Sequence, residues 1–326
     1  MTGARRLRQT ARFVPFWGRD IGLIRAREPH ALAFLFHMAS SSGTIQRTIT
    51  HRTTLRESVR EIVTHHELLL NLVRLELKAK YKASALGFAW SLLNPAMYLV
   101  VFYIAFDVIL GAGIPRFPIY LLSGLLVWNF FTAALTSGTG TVVAGQGRVK
   151  KVWFPREVLP LASVGAALVH FFLQCLVLII ALTAVRHPVG WAEVPLLPLA
   201  LFDLLLLASG LALLLSAANV YLRDMAHFVE LALLAWFWVT PIVYPFSQLT
   251  KAIGGRAAIA LINPVTPIVL TFQRALYGSF GHVMDPHLGV TWYLRNLLIV
   301  MVAALLLAAV ALRVFNRLEG NLAEEL

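Results

Sequence analysis

Cysteine is nearly absent: Cys175 is the only one in 326 residues, and it falls inside an apolar run. One thiol excludes a disulfide framework and a cysteine zinc site, and leaves a small buried core residue as its plain reading. Charge is scarce as well, 13% of the chain, about half the share usual in soluble domains. Acids are the rarer sign, 16 against 28 Lys and Arg, for a net charge of +12. Asp107, Asp203 and Glu230 stand singly near the ends of apolar runs, where hydrated interfacial positions are expected. There is no close carboxylate pair and no nucleophile–histidine grouping, so no hydrolase or proton relay is legible. A phosphate loop is missing too. Gly140 and Gly145 have its spacing, but Gln146 stands where lysine is required. These small residues are better read as letting a membrane helix approach its neighbour closely.

What the chain has in quantity is apolar length. Hydrophobic residues make up 59% of it, and the mean hydropathy is +0.74. That predicts an all-α polytopic membrane protein. Six spans are expected near residues 88–110, 118–144, 157–183, 196–218, 228–246 and 290–313. The basic excess lies beside these spans and not in one polar domain, so anionic headgroups and not nucleic acid explain it. With both termini inside, twenty-two Lys and Arg fall on the cytoplasmic side and six outside, Arg274 among the six. This is the orientation the positive-inside rule requires.

Residues 1–54 read as a basic cytoplasmic extension. Their only apolar burst, 31–38, is short and late, so no signal peptide is expected. Over 55–82, Leu55, Val59, Ile62, His66, Leu69, Val73, Leu77 and Tyr81 recur every three or four residues, one face of a helix. Arg56, Arg60, Arg74, Lys78 and Lys82 lie mostly off that stripe, and Glu76 can pair with Lys80 one turn on. A basic amphipathic helix directly before a span is expected to lie in the headgroup plane. A last tail, 319–326, returns to the cytoplasm.

The polar connector 148–160 is the focus of the pattern. Arg148, Lys150, Lys151 and Arg156 make it a cytoplasmic loop between two membrane-length runs, too short for a soluble domain. Between Arg256 and Arg274 a mostly apolar stretch holds Asn263, Pro264 and Pro267. A seventh span there would lose its hydrogen-bond ladder at the prolines. A re-entrant pair of short helices turning at Asn263-Pro264 is expected, which is tolerated only against protein or a water-filled cavity.

Aromatics form two ridges. Trp90, Asn94, Tyr98, Phe102 and Phe106 step by four along the first span, and Trp236, Thr240 and Tyr244 along the fifth, beside Trp238. Flat ring faces lining a conduit suit a sliding sugar chain, although ordinary helix packing uses the same residues. An indole N–H at mid-depth needs a partner. His170, the only histidine within a span, is expected to be buried and hydrogen-bonded.

Residues 72–95, LVRLELKAKYKASALGFAWSLLNP, resemble the signature of permease subunits of ABC-2-type polysaccharide exporters. YLLSGLLVWNFF at 120–131, VKKVWFPREVLP at 149–160 and VYLRD at 220–224 resemble further family stretches in the same order. The resemblance covers residues 64–318. It implies a homodimer working with two copies of a separate ATPase subunit, which would bind ATP and Mg, so this chain would be no enzyme and hold no cofactor. The implied cargo is a lipid-linked glycan such as O-antigen or teichoic acid, crossing the bacterial inner membrane.

By matching motif, Lys150, Lys151, Trp153, Phe154, Pro155, Arg156 and Glu157 would carry the coupling contact. Tyr221, Arg223 and Asp224 would make a second one. Leu69, Val73, Leu77, Lys78, Lys80 and Tyr81 would belong to the interface helix, and residues 256–280 to the outer gate. The first and fifth spans would line the conduit. Two other readings stay open: an ABC-2 exporter of drugs or small lipids, and a membrane-embedded transferase acting on lipid-linked sugars.

Overall fold

A computed structural model describes residues 55–82, 84, 87–109, 114–145, 155–278 and 288–325, all within the compact unit Thr50–Leu326. Among these residues every regular element is helical. The expected extension 1–54 and most of the connector, including Lys150, Lys151, Trp153 and Phe154, lie outside the described residues.

The single amphipathic helix expected over 55–82 is two helices, α1 (Leu55–Thr64) and α2 (His66–Tyr81). At the joint side chains share carbonyls with the backbone, the His65 amide keeping its own bond to the Glu61 carbonyl at 2.9 Å. Thr64 Oγ1 donates to the Arg60 carbonyl at 2.8 Å, and His65 Nδ1 lies 2.8 Å from the Glu61 carbonyl. Such local bonds compete with helix propagation. In α2 the apolar stripe is buried at Leu72 and Val73, whereas in α1 Val59 stays exposed.

The first expected span is α3 (Trp90–Phe102), running on into a π-helical turn, Tyr103–Ile109. Pro95 sits inside it. Four helices are long and apolar enough to cross a bilayer, by length and composition: α4 (Phe117–Ala144), α5 (Val158–Ala184), α6 (Leu197–Tyr221, with the 3-10 turn before it) and α11 (Val290–Glu325). The last runs to Glu325, well beyond the expected end at 313.

α7 (Met225–Val239) stops short of the expected 246. Thr240 precedes Pro241 and is extended, at φ −92° and ψ 130°, because a proline ring disfavours helical backbone in the residue before it. At fifteen residues, α7 is shorter than the roughly 20 a perpendicular crossing takes. Short helices follow: α8 (Phe246–Ala252), α9 (Ala257–Leu261) and α10 (Val265–Tyr277). The break between the last two falls at Ile262 to Pro264, the expected turn.

α4 is the centre of the bundle: 78% of its most apolar stretch is buried, against 28% for α11. Around it α5, α6 and α10 pack their apolar faces, with Tyr120, Phe130, Phe131 and Phe171 fully or almost fully enclosed. The outward faces of α5 and α11 instead expose Phe172, Ile179, Ile180, Ile299 and Leu306, a surface suited to lipid.

Two expectations about small and acidic residues change. Gly140, expected at a close approach, faces open space. Gly138 makes that approach, where an added Cβ would stand 2.8 Å from Ala212 Cβ on α6. Asp203, expected to be interfacial and hydrated, is fully buried, and neither oxygen has a partner among the described residues. It lies in the second turn of α6, a helix packed against α4, α5, α10 and α11. Nearness to a helix end brings water only on the rim of a bundle. Glu230, in contrast, is exposed beside His227.

Gly138→Leu is expected to cost about 1–3 kcal/mol by overpacking, read as a lower unfolding midpoint in detergent. Gly140→Leu should stay within about 0.5 kcal/mol of the parent protein.

Candidate functional site

At one end of the bundle a second apolar cluster collects parts of five helices. Leu72 and Val73 of α2, Val142 of α4, Val158, Leu159 and Ala162 of α5, Val220 of α6, and Leu312 and Phe315 of α11 are all buried there. The end of the connector feeds straight into it. Pro155 is buried, Arg156 half-buried and Glu157 3% exposed. Residues 156–157 form a turn that leads into α5, with the Leu159 amide donating to the Arg156 carbonyl at 3.1 Å. Of the expected coupling pair, Arg156 therefore shows to the outside while Glu157 is turned inward. Tyr221, Arg223 and Asp224 are exposed, on a turn held by the Ala226 amide donating to Asn219 Oδ1 at 3.2 Å.

α2 is seated on α5 by a gap in the latter's side chains. A Cβ on Gly165 would stand 2.7 Å from Val73 Cγ2. Ser163 Oγ donates to Glu76 Oε1 at 2.8 Å, with Thr141 Oγ1 at 3.5 Å. Further along, Lys80 Nζ lies 3.4 Å from His170 Nε2 and Tyr81 Oη 3.2 Å from its Nδ1. Glu76 and Lys80, expected to pair with each other, each reach toward α4 or α5. Lys80 is an exposed residue, and the desolvation its ammonium meets beside α5 lowers it from its ordinary pKa. Leu69 and Leu77 are half-buried and Lys78 is exposed. His170 is buried and hydrogen-bonded, as its position inside a span required.

Beyond this contact lies a cleft of about 120 Å³ between α2, α3, α4 and α5, bordered by Trp90, Asn129 and Gln174. Asn129 Nδ2 donates to Gln174 Oε1 at 3.2 Å. Sequence reasoning passed over this amide pair. Its signal was there, since each amide interrupts a run in which nearly every neighbour is apolar.

The two aromatic ridges fare differently. Tyr98 and Phe102 stack at 6.0 Å along α3, with Tyr98 exposed and Phe102 half-buried. The side chains of Asn94 and Phe106 lie outside the described set. On α7, Trp236 packs edge-on against Phe131 at 5.2 Å, and its indole N–H donates to Asn263 Oδ1 at 2.9 Å. Asn263 Nδ2 donates to Thr240 Oγ1, which donates in turn to the Trp236 carbonyl, both at 2.9 Å. Thr240 is fully buried, so the polar edge expected to face a conduit closes on the protein itself, and Trp238 is the exposed ring of the group. Tyr244 is half-buried, its hydroxyl donating to the Trp238 carbonyl at 2.6 Å. Conduit and gate residues, expected as separate sets, thus form one hydrogen-bonded ring. Pro264 leads into α10 and Pro267 sits buried in its first turn.

The opposite end is tied by polar groups. Arg274, counted from sequence among the outer loop charges, is buried in α10 and donates from Nε to Glu193 Oε1 at 2.9 Å. Arg116 Nη1 donates to His187 Nδ1 at 3.2 Å, and His187 Nε2–H to the Tyr277 carbonyl at 2.9 Å. Burial, with Arg116 adding to it, holds His187 below its ordinary pKa and keeps the ring neutral in that tautomer. Tyr277 Oη reaches the Pro115 carbonyl at 2.8 Å. Arg116 and Arg186 both hold left-handed backbone, φ 53° and 46°, a strain of about 1–3 kcal/mol each that only a well-tied surround sustains.

The model of the ABC-2 type transporter family matches residues 67–277, from the start of α2 to the end of α10. The chain belongs to the ABC-2 type transporter family. Within it, the chain is similar to the O-antigen export system permease protein RfbA of Myxococcus xanthus, 34% identical over 220 residues, or 67% of this chain and 84% of the relative. A Klebsiella pneumoniae protein of the same name is 26% identical over 258 residues, 79% of this chain and 94% of its own. The polysialic acid transport protein KpsM of Escherichia coli is 23% identical over 211 residues, covering 63% and 79%. The family match takes in the interface contact, the cleft and the α9–α10 turn, and stops before α11.

Glu193→Ala leaves the Arg274 guanidinium buried without its counter-charge and should cost about 3–5 kcal/mol. The expected reading is a large drop in folded protein recovered from membranes. Glu193→Gln combined with Arg274→Gln should recover part of it.

Proposed function

We propose that this chain is the permease subunit of an ATP-driven exporter that moves a lipid-linked polysaccharide across the bacterial inner membrane. The observation that carries the reading is the family membership together with relatives named for O-antigen and polysialic acid export. The relatives named for export are matched over 84% and 94% of their lengths, so the likeness is to whole permeases and not to a shared fragment.

In this reading the chain crosses the membrane six times, α3 and α7 completing the set with the four long helices, and both termini are cytoplasmic. Residues 83–318 form the transmembrane domain behind the interface helix of 55–82. Two copies pair with two copies of a separate ATPase subunit, which binds ATP and Mg and hydrolyses the nucleotide. The connector 148–160 and the turn at Tyr221, Arg223 and Asp224 take the push. The convergence of α2, α5, α6 and α11 on one apolar cluster supports this, because a displacement at either contact is shared by the helices packed there. Trp90, Tyr98, Phe102 and Trp238 line the conduit, and the α9–α10 turn at Asn263, Pro264 and Pro267 gates its outer end. An exporter of drugs or small lipids would have the same helices, and the names of the relatives favour a glycan cargo. A transferase acting on lipid-linked sugars would show activity in the purified chain without an ATPase, and the names of the relatives favour the permease reading.

Arg156→Ala, alone and with Glu157→Gln, should lower glycan export per ATP hydrolysed by about tenfold, the loss of one strong interface contact, with membrane insertion intact. Export measured as surface polysaccharide, alongside ATPase activity of the assembled complex, checks this. Unchanged export in both variants would remove the coupling role.

A further inference from the structure

α11 is longer than a crossing requires. At roughly 1.5 Å each its 36 residues reach about 54 Å, against about 30 Å of hydrocarbon. Near its end Arg313 and Arg317 are exposed, while Leu312 and Phe315 are buried at 9% and 0%. The end of the helix is thus charged on one side and packed into the apolar cluster of the connector end on the other.

Two elements hold this end. The first is α6, which runs beside it in the same direction. A Cβ on Gly210 would stand 3.3 Å from the Ala308 backbone, and farther along Tyr221 Oη donates to the Leu318 carbonyl at 3.4 Å. The second is α1. Its Arg56, Glu57, Val59 and Arg60 are exposed, whereas Ser58 is 1% exposed and its Oγ accepts from Asn316 Nδ2 at 2.6 Å. Ile62, one turn on, packs against the same apolar cluster. An apolar side chain in place of that amide would set hydrocarbon against an enclosed hydroxyl, which costs free energy. The two helices of 55–81 therefore stand on different parts of the bundle, α1 on α11 and α2 on α5, and they meet at His65.

We propose that the cytoplasmic end of α11 is a strut that conveys displacement of the 221–224 turn to α1, with Asn316 as the positioning residue at its joint. The connector acts through α5 on α2, and the turn acts through α6 and α11 on α1. The two cytoplasmic contacts are thereby brought together again where α1 meets α2. The inference rests on the reading of this chain as a permease driven at those contacts, and adds the route by which the second reaches the interface helices.

The test uses inside-out vesicles from cells that make the glycan, where the full chain works with its own ATPase. Glycan uptake into the lumen and ATP hydrolysis are measured together. Asn316→Leu should lower uptake per ATP hydrolysed about tenfold, with the amount of chain in the membrane unchanged. Ser58→Cys with Asn316→Cys, in a Cys175→Ala parent, should show the same loss while reduced. Bridging the two thiols with a short bifunctional reagent should bring the ratio back to within a few-fold of that parent. If Asn316→Leu is lost from the membrane, the cysteine pair decides alone. Parent-like coupling in the reduced pair would overturn the strut. So would a bridged pair that stays uncoupled, which would mark a contact that has to open or one of packing alone. Uptake and hydrolysis falling together at an unchanged ratio would also overturn it, placing Asn316 in assembly with the ATPase. Normal uptake in vesicles from a strain lacking the gene removes the permease reading itself. Loss of uptake in that strain beside a parent-like reduced pair removes the strut alone.

Discussion

The seating of α2 on α5 is the contact on which the rest of this architecture depends. Gly165 opens a space that Val73 fills, and Ser163 and Thr141 supply the hydroxyls that let Glu76 enter the same seam. A larger residue at 165 would lift α2 away, and with it the apolar cluster shared with α6 and α11. It would also withdraw Lys80 and Tyr81 from His170. A helix otherwise bound only at a membrane surface becomes, through this seam, a rigid attachment to the bundle.

The two ends of the bundle are built on different principles. At the connector end a broad apolar cluster, whose attraction is non-directional, is stitched by a few bonds, Ser163 to Glu76 and Asn316 to Ser58 among them. At the other end Glu193, Arg274, His187, Arg116 and Tyr277 are joined by directional bonds, with two arginines in strained backbone. Such a network has few alternative arrangements, because each broken bond strands a buried polar group. Directional bonds to charged groups therefore gather at the far end, and the ring formed by Trp236, Thr240 and Asn263 lies where α7 gives way to the short helices.

Much of the helix plan was legible in the residues. α4, α5 and α6 fall within a few positions of their expected bounds, because long apolar runs interrupted by polar connectors leave little choice in a bilayer. The end of α7 was misplaced since hydropathy continues through Val239 to Tyr244, while Pro241 alone ends the helix. The joint at His65 was hidden because the apolar spacing runs through it unbroken. The candidate sites were less legible, and for one reason. Sequence periodicity says which face a residue shares, and not whether that face meets lipid, water or another helix. Thr240 and Asp203 were assigned to polar surroundings on their chemistry, yet both are fully buried. His170 was placed correctly because a lone imidazole in a span has few stable alternatives to a buried hydrogen bond.

These features fit one mechanical argument. Any push at Arg156 or at the Tyr221 turn meets α5 and α6 where both enter the apolar cluster, and α2 is carried with them because it is pinned at Gly165. α2 meets α5 at Val73 on Gly165, at Glu76 on Ser163 and at Tyr81 on His170. Held at three places along its length, α2 follows a displacement of α5, and the bonded network of Glu193, Arg274, His187 and Arg116 holds the far end against which such a displacement acts.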